Sequence, residues 1–359
     1  MRLEHGALRR LLIGGFAAGS MAAATLTGGI SQASAATSAA SSPAAAPANP
    51  GATITVSAPV SADVQKAINT KHISRDAAMK AYWTPARMRA AIPLDDAAKG
   101  AAAPRARTNA LTGALHKVAP SAGTAKPRKA ATRQRTGTAS TAAAVTASPT
   151  VGKVFFRDAT DGLNYVCSAG TVNSNSKRLI STAGHCVHHG SGGTWHQNWT
   201  FVPYYDHGNR PYGTWSAYRL VTFNGWANSS DLNYDVGFVK ANDLSGVHIV
   251  NRVGGNGIQT GQSTSRAMTI IGYPAEAPYP GDWQYYCQGT TYASGSRIAM
   301  ACPLTRGVSG GPWLFGYSNS TLLGYINGTS STTNNGRTTL WSPYFSNDVW
   351  NLYNYADGV

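Results

Sequence analysis

The chain has 359 residues, 42% of them hydrophobic, and carries 30 lysines and arginines against 15 aspartates and glutamates, a formal charge of +15. Such a charge suits a polyanion or membrane partner when it is spread over a folded surface. Here it is not, because 18 of the basic and 5 of the acidic side chains fall in residues 1–150, leaving 12 against 10 in residues 151–359.

The N-terminus combines Arg2, Arg9 and Arg10 with an apolar stretch from Leu11 to about Leu26 and a small-residue site at Ala33-Ser34-Ala35. This predicts a signal peptide over 1–35. Glycines at 14, 15, 19, 28 and 29 interrupt the apolar run, and no comparable segment follows, so no membrane span is expected after signal removal. Residues 36–150 are predicted to be a pro-region. Its first part, 36–60, is rich in Ala, Ser and Pro and reads as a disordered spacer. A helical segment is expected over about 61–96, with Ser74 and Asp76 at a helix start and Pro85 opening a second short helix. Residues 97–150 return to Ala, Thr, Pro, Lys and Arg, a linker composition with little to bury; Arg133-Gln134-Arg135 offers a processing target, with a cut expected between about 133 and 152.

From Val151 the pattern changes to short β-rich runs separated by Gly, Asn, Ser and Pro. Strands are predicted at 152–156, 165–171, 178–182, 199–204, 213–222, 235–239, 267–272, 296–301, 312–317 and 321–326. Their number and spacing predict an antiparallel sandwich or a pair of barrels. A closing helix is predicted with Ser342 as cap, Pro343 at its first position and Phe345, Val349 and Leu352 on one face.

Chemistry is concentrated in two runs: Thr305-Arg306-Gly307-Val308-Ser309-Gly310-Gly311-Pro312 and Ser181-Thr182-Ala183-Gly184-His185-Cys186. The first also fits the G-x-S-x-G elbow of the α/β-hydrolases, but there the catalytic histidine follows the serine, and the last histidine of this chain is His248. A subtilisin order would need Asp158 or Asp161 before His185, and neither introduces a parallel-sheet pattern. The order His, Asp, Ser remains. Asp235, followed by the apolar run Val236-Gly237-Phe238-Val239, supplies the acid; Asp231 is the fallback. In this reading Ser309 attacks a carbonyl, His185 moves its proton, and Asp235 fixes the imidazole tautomer. The N–H groups of Gly307 and Ser309 are expected to bind the developing oxyanion.

These three segments, with Phe201-Val202-Pro203-Tyr204-Tyr205 and Ile271-Gly272-Tyr273-Pro274, resemble the chymotrypsin-fold serine peptidases, in particular the secreted bacterial branch that includes glutamyl endopeptidases. The resemblance covers roughly the last 200 residues. It implies an all-β fold of two antiparallel six-stranded β-barrels with a C-terminal helix, a peptidase domain over 151–359, and protein or peptide substrates. Trp83-Thr84-Pro85-Ala86-Arg87-Met88-Arg89-Ala90-Ala91 resembles a segment of the pro-regions of secreted actinobacterial peptidases, which implies an arm that docks on the domain and keeps it silent or helps it fold, while an inert spacer is the equal alternative. Four cysteines allow three pairings. The resemblance implies Cys167–Cys186, pinning the histidine loop, and so leaves Cys287–Cys302.

Two departures stand out. Val308 occupies the place where animal relatives carry an aspartate that pairs with a released N-terminus, so activation through that pair is excluded. The pocket is expected from 303–306 and 325–329, with Arg306, Asn327 and Thr329 as substrate-binding residues, and no acid lies in either stretch. Trypsin-like cleavage is therefore not expected, and the preference stays open between acidic and medium apolar residues. His188, His189 and His196 lie near Cys186 but form no metal-binding spacing, so no metal and no cofactor are expected. The full expectation is a secreted, monomeric serine endopeptidase whose partners are substrates and its own pro-region, with no nucleic acid. Two other readings are a catalytically silent relative and a basic secreted protein that binds polyanions or cell-wall polymers through 97–150.

Overall fold

The computed structural model describes residues 49–94, 111, 113–125, 133–134 and 144–359. The predicted signal peptide and most of the spacer that follows it lie outside the described residues. In chain order an N-terminal arm comes first: β1 (Thr53–Ser57), α1 (Ala62–Lys71), α2 (Arg75–Tyr82), α3 (Pro85–Ala90), β2 (Ile92–Pro93), β3 (His116–Val118) and β4 (Arg133–Gln134). A first lobe follows with β5 (Val151–Arg157), β6 (Asn164–Thr171), β7 (Leu179–Thr182), β8 (Gln197–Pro203), β9 (Trp215–Phe223), α4 (Asn224–Ser229) and β10 (Gly237–Ala241). The second lobe holds α5 (Ile249–Val253), β11 (Gly257–Thr260), β12 (Ala267–Gly272), β13 (Tyr285–Thr290), β14 (Tyr292–Ser294), β15 (Arg297–Ala301), β16 (Pro312–Ser318), β17 (Leu323–Thr329), β18 (Thr332–Thr333) and β19 (Thr339–Pro343). The chain closes with α6 (Asn347–Gly358).

Six strands in the order β9-β10-β7-β6-β5-β8 form the first lobe, and β8 pairs back with β9 to close the barrel. Strand alternation explains its two-sided burial. Val154 and Phe156 of β5 point into one apolar cluster with Ile180, Phe201 and Val239, whereas Val151 and Phe155 point into another that contains Met79, Trp83 and Met88 of the arm. Both faces of β5 are therefore covered. The second lobe is built from a seven-stranded sheet, β3-β11-β17-β16-β12-β13-β4, and a four-stranded sheet, β14-β15-β19-β18. The whole matches the expected chymotrypsin-like architecture, and both disulfides, Cys167–Cys186 and Cys287–Cys302, are present as expected. Among the described residues no helix is long and apolar enough to cross a membrane.

Three sequence expectations are corrected. Residues 53–57 are not spacer: Thr-Ile-Thr-Val-Ser is a strand, paired antiparallel with β9 from Thr53↔Phe223 to Ser57↔Arg219. The closing helix is capped by Ser346, whose side chain accepts from the Asp348 N–H, because Ser342 and Pro343 still belong to β19. Packing also starts earlier than Val151. Val145, Ala147, Ser148 and Thr150 are buried, and Gln284 brackets this stretch by accepting from the Ser148 N–H and donating to the carbonyls of Ser148 and Val151.

The arm touches both lobes. Ser74 caps α2 and Thr84 caps α3, as the sequence predicts for the first. Trp83, between them, is fully buried and donates its indole N–H to the Asn198 carbonyl at 2.8 Å. Farther along, β3 adds to β11, and the His116 ring stacks on Trp350.

Candidate active site

Residue 184 is glycine because a β-carbon there would lie 2.9 Å from the Trp226 ring and 3.0 Å from Asp235 Oδ1. That close approach brings the following residue onto the aspartate. The His185 backbone N–H donates to Asp235 Oδ1 at 2.7 Å, and His185 Nδ1 lies 2.8 Å from Oδ2. Both side chains are buried, which strengthens the bond and fixes the ring. The carboxylate takes a further hydrogen bond from Ser331 Oγ, at 2.6 Å on Oδ2. With Nδ1 committed to the carboxylate, Nε2 is the ring atom left to exchange a proton, and no described group hydrogen-bonds it. Asp231, the fallback acid, instead caps the turn before Asp235 by accepting from the Asn233 N–H.

Ser309 is fixed by its neighbours, and it lines one pocket with Ser331, the residue that bonds Asp235. The Ser309 carbonyl accepts from the Ser168 N–H at 2.7 Å, and Ser168 follows Cys167, whose disulfide partner Cys186 follows His185. A β-carbon on Gly310 would come within 2.1 Å of Thr182 Oγ1, so only glycine lets the serine turn pack against the strand that leads to the histidine. Gly307 sits at φ +96°, and its carbonyl accepts from Ser168 Oγ at 2.8 Å. No described group accepts a hydrogen bond from the N–H of Gly307 or Ser309. Two backbone donors next to the hydroxyl are what an oxyanion site requires.

A small pocket adjoins the serine, lined by Thr305, Arg306, Val308, Ser330 to Thr333 and Leu340. Of the three expected pocket residues the structure brings only Arg306 here, and its guanidinium is paired with Glu276. Asn327 lies elsewhere: its amide donates to the Gln259 carbonyl, and its oxygen accepts from Arg266. Thr329 is buried with its N–H on Ser342 Oγ. The wall falls at 330–333 because residue 330 is what pairs with the serine loop, through Gly310 N–H to Ser330 O at 2.8 Å and Ser330 N–H to Gly311 O at 3.0 Å. Ser168 and Ser331 were missed in the sequence, where each is one serine among many.

The loop histidines resolve differently from a metal site. His189 Nδ1 lies 2.7 Å from Asp158 Oδ2, and His196 Nε2 lies 2.9 Å from the His185 carbonyl. Burial pushes the His196 imidazole down to about 4, as it does for His188. Cys167, His185 and Cys186 cluster within ligand range of one another, but the two sulfurs are bonded together and are not thiolate donors.

A thermostable serine protease, AL20, from an extremophilic microorganism superposes with a TM-score of 0.56 at 34% identity, over 59% of this chain and 98% of its own. The chain belongs to the chymotrypsin-fold serine peptidases. Among curated proteins, it is 34% identical over 122 residues to an extracellular metalloprotease of Bacillus subtilis, covering 33% of this chain and 36% of that one. It is 30% identical over 110 residues to a glutamyl endopeptidase of Bacillus licheniformis, covering 30% of this chain and 33% of that one. The chain thus spans about a third of the length of the curated relatives it matches. No family model matches.

Proposed function

We propose that this protein is a secreted serine endopeptidase, made as a preproenzyme, that hydrolyses peptide bonds through Ser309, His185 and Asp235. The observation that carries the reading is the buried His185–Asp235 pair, closed by Ser331, with Ser309 lining the same small pocket as Ser331 and two backbone N–H groups in its turn uncommitted. A serine hydroxyl needs a neighbouring base to attack at neutral pH. His185 Nε2 takes that proton and returns it to the leaving amine, Asp235 stabilises the imidazolium, and the N–H groups of Gly307 and Ser309 receive the oxyanion of the acyl-enzyme pathway. Packing of residues 49–94 and 113–125 on the domain supports the pro-region reading. No carboxylate lines the pocket, so cleavage after lysine or arginine is not expected.

The test is labelling of the processed protein by a serine-directed phosphonate. The wild type should incorporate one label and lose activity, and Ser309→Ala should incorporate none. Labelling that persists in the variant overturns the assignment.

A further inference from the structure

We propose that Glu276 positions the oxyanion-binding turn, holding the Arg306–Gly307 peptide so that the Gly307 N–H faces the reacting carbonyl. This rests on the oxyanion role given to Gly307 above. The need for such a device follows from position 308. Val308, the residue before the serine, is apolar and buried and gives the turn no polar anchor on that side. The turn must be held from its other side.

The segment from Tyr273 to Glu276 occupies that side. The Ala275 N–H donates to the Arg306 carbonyl at 2.7 Å, and Thr305 Oγ1 donates to the Glu276 carbonyl at 2.9 Å. The Glu276 carboxylate then joins two cations: Arg306 donates to Oε1 through Nε at 3.1 Å and through Nη2, and Arg337 Nε lies 3.1 Å from Oε2. Residues 305, 306 and 337 are thus all bonded to one residue.

A trans peptide directs its carbonyl and the following N–H to opposite sides. A carbonyl of Arg306 held toward Ala275 therefore turns the Gly307 N–H away from that loop, to the side of Ser309. Gly307, at φ +96° and with no β-carbon, is free to allow the opposite orientation, which would point a carbonyl where the donor belongs. A β-carbon would meet Tyr273 O at 2.6 Å and Ala275 N at 2.8 Å, so glycine is required for the loop to come this close. The residue that permits the bond also permits the flip. The Glu276 ion pairs bias the choice, since a flip would break the Ala275 bond and drag Arg306 from its carboxylate.

The experiment compares wild type, Glu276→Ala, Glu276→Gln and Arg337→Met in the processed enzyme, with each preparation's active fraction counted by phosphonate titration. Glu276→Ala is expected to lower kcat about ten- to a hundredfold, short of the full loss of an oxyanion donor, with KM within about twofold. Glu276→Gln, which keeps an acceptor, should fall between, and Arg337→Met should cost a few-fold. Inhibition by a peptide aldehyde, whose adduct carries the oxyanion, should weaken in step with kcat, while binding of the cleaved peptide product should not change. A Glu276→Ala enzyme with wild-type kcat per active site and unchanged aldehyde affinity overturns the inference. A loss accounted for by the titrated fraction alone also overturns it, since that is a folding defect. Activity that survives Ser309→Ala would instead defeat the underlying functional reading, an outcome read from a different variant.

Discussion

At the scale of single residues the site is organised by what each polar atom is bonded to. Asp235 accepts from the His185 backbone, the His185 ring and Ser331, so its charge is held at three points. Asp235→Asn keeps the shape but presents an amide N–H or a weaker acceptor to Nδ1, and kcat should fall by roughly three to four orders of magnitude with little change in KM. Steady-state kinetics on a peptide substrate checks this. His196 permits a second prediction, about pH. Its imidazole is depressed to about 4 in the fold against 6.5 when unfolded, because burial disfavours the charge. Between those values the unfolded chain binds more protons, so stability present above about pH 6.5 is lost as pH falls toward 4. Urea midpoints measured from pH 7 to pH 4.5 should decline, and the decline should flatten in His196→Gln.

Elements show best what could be read in advance. Gln197–Pro203, Ala267–Gly272 and Pro312–Ser318 follow from β-branched and aromatic runs between turn residues, within a residue or two of the sequence reading. The motifs around His185, Asp235 and Ser309 were legible because close packing leaves so few residue types usable at 184, 307 and 310. The pocket was not legible, since which residue of a strand faces a neighbour depends on register, and β16 and β17 change register twice, between Pro312 and Leu314 and between Phe315 and Ser318. Counting along the sequence therefore stopped at Asn327 and Thr329, short of residues 330–333, which line the pocket beside Ser309. Ser342 misled for a related reason: its hydroxyl bonds the Thr329 N–H within the sheet and is unavailable as a cap. The strand at 53–57 did carry a signal, the alternation of Thr, Ile, Thr and Val, which the surrounding Ala and Pro concealed. Within the arm, the fully buried Trp83 packs its ring against Phe155, with Met79 and Met88 in the same cluster. Trp83→Ala should destabilise the full-length chain by about 3–5 kcal/mol, with one hydrogen bond and a large buried ring removed. Equilibrium unfolding measures it.

For the whole molecule, the burial of Val145, Ala147, Ser148 and Thr150 limits where the mature domain of the proposed proenzyme can begin. A form starting at Val151 would lose the Gln284 contacts of Ser148 and leave a buried amide unsatisfied, so N-terminal sequencing of the processed protein should find its first residue at or before Ala144. The arm adds a kinetic consequence. A cut between residues 125 and 144 leaves the β1–β9 and β3–β11 pairings and the seat of Trp83 untouched. The severed arm is then a ligand of its former domain, and mass action governs its departure. Gel filtration of freshly cleaved protein should show the arm co-eluting at high concentration and separating on dilution or after its own digestion, so the proposed maturation would run on two clocks, one set by the protease that cuts and one set by how dilute the product becomes.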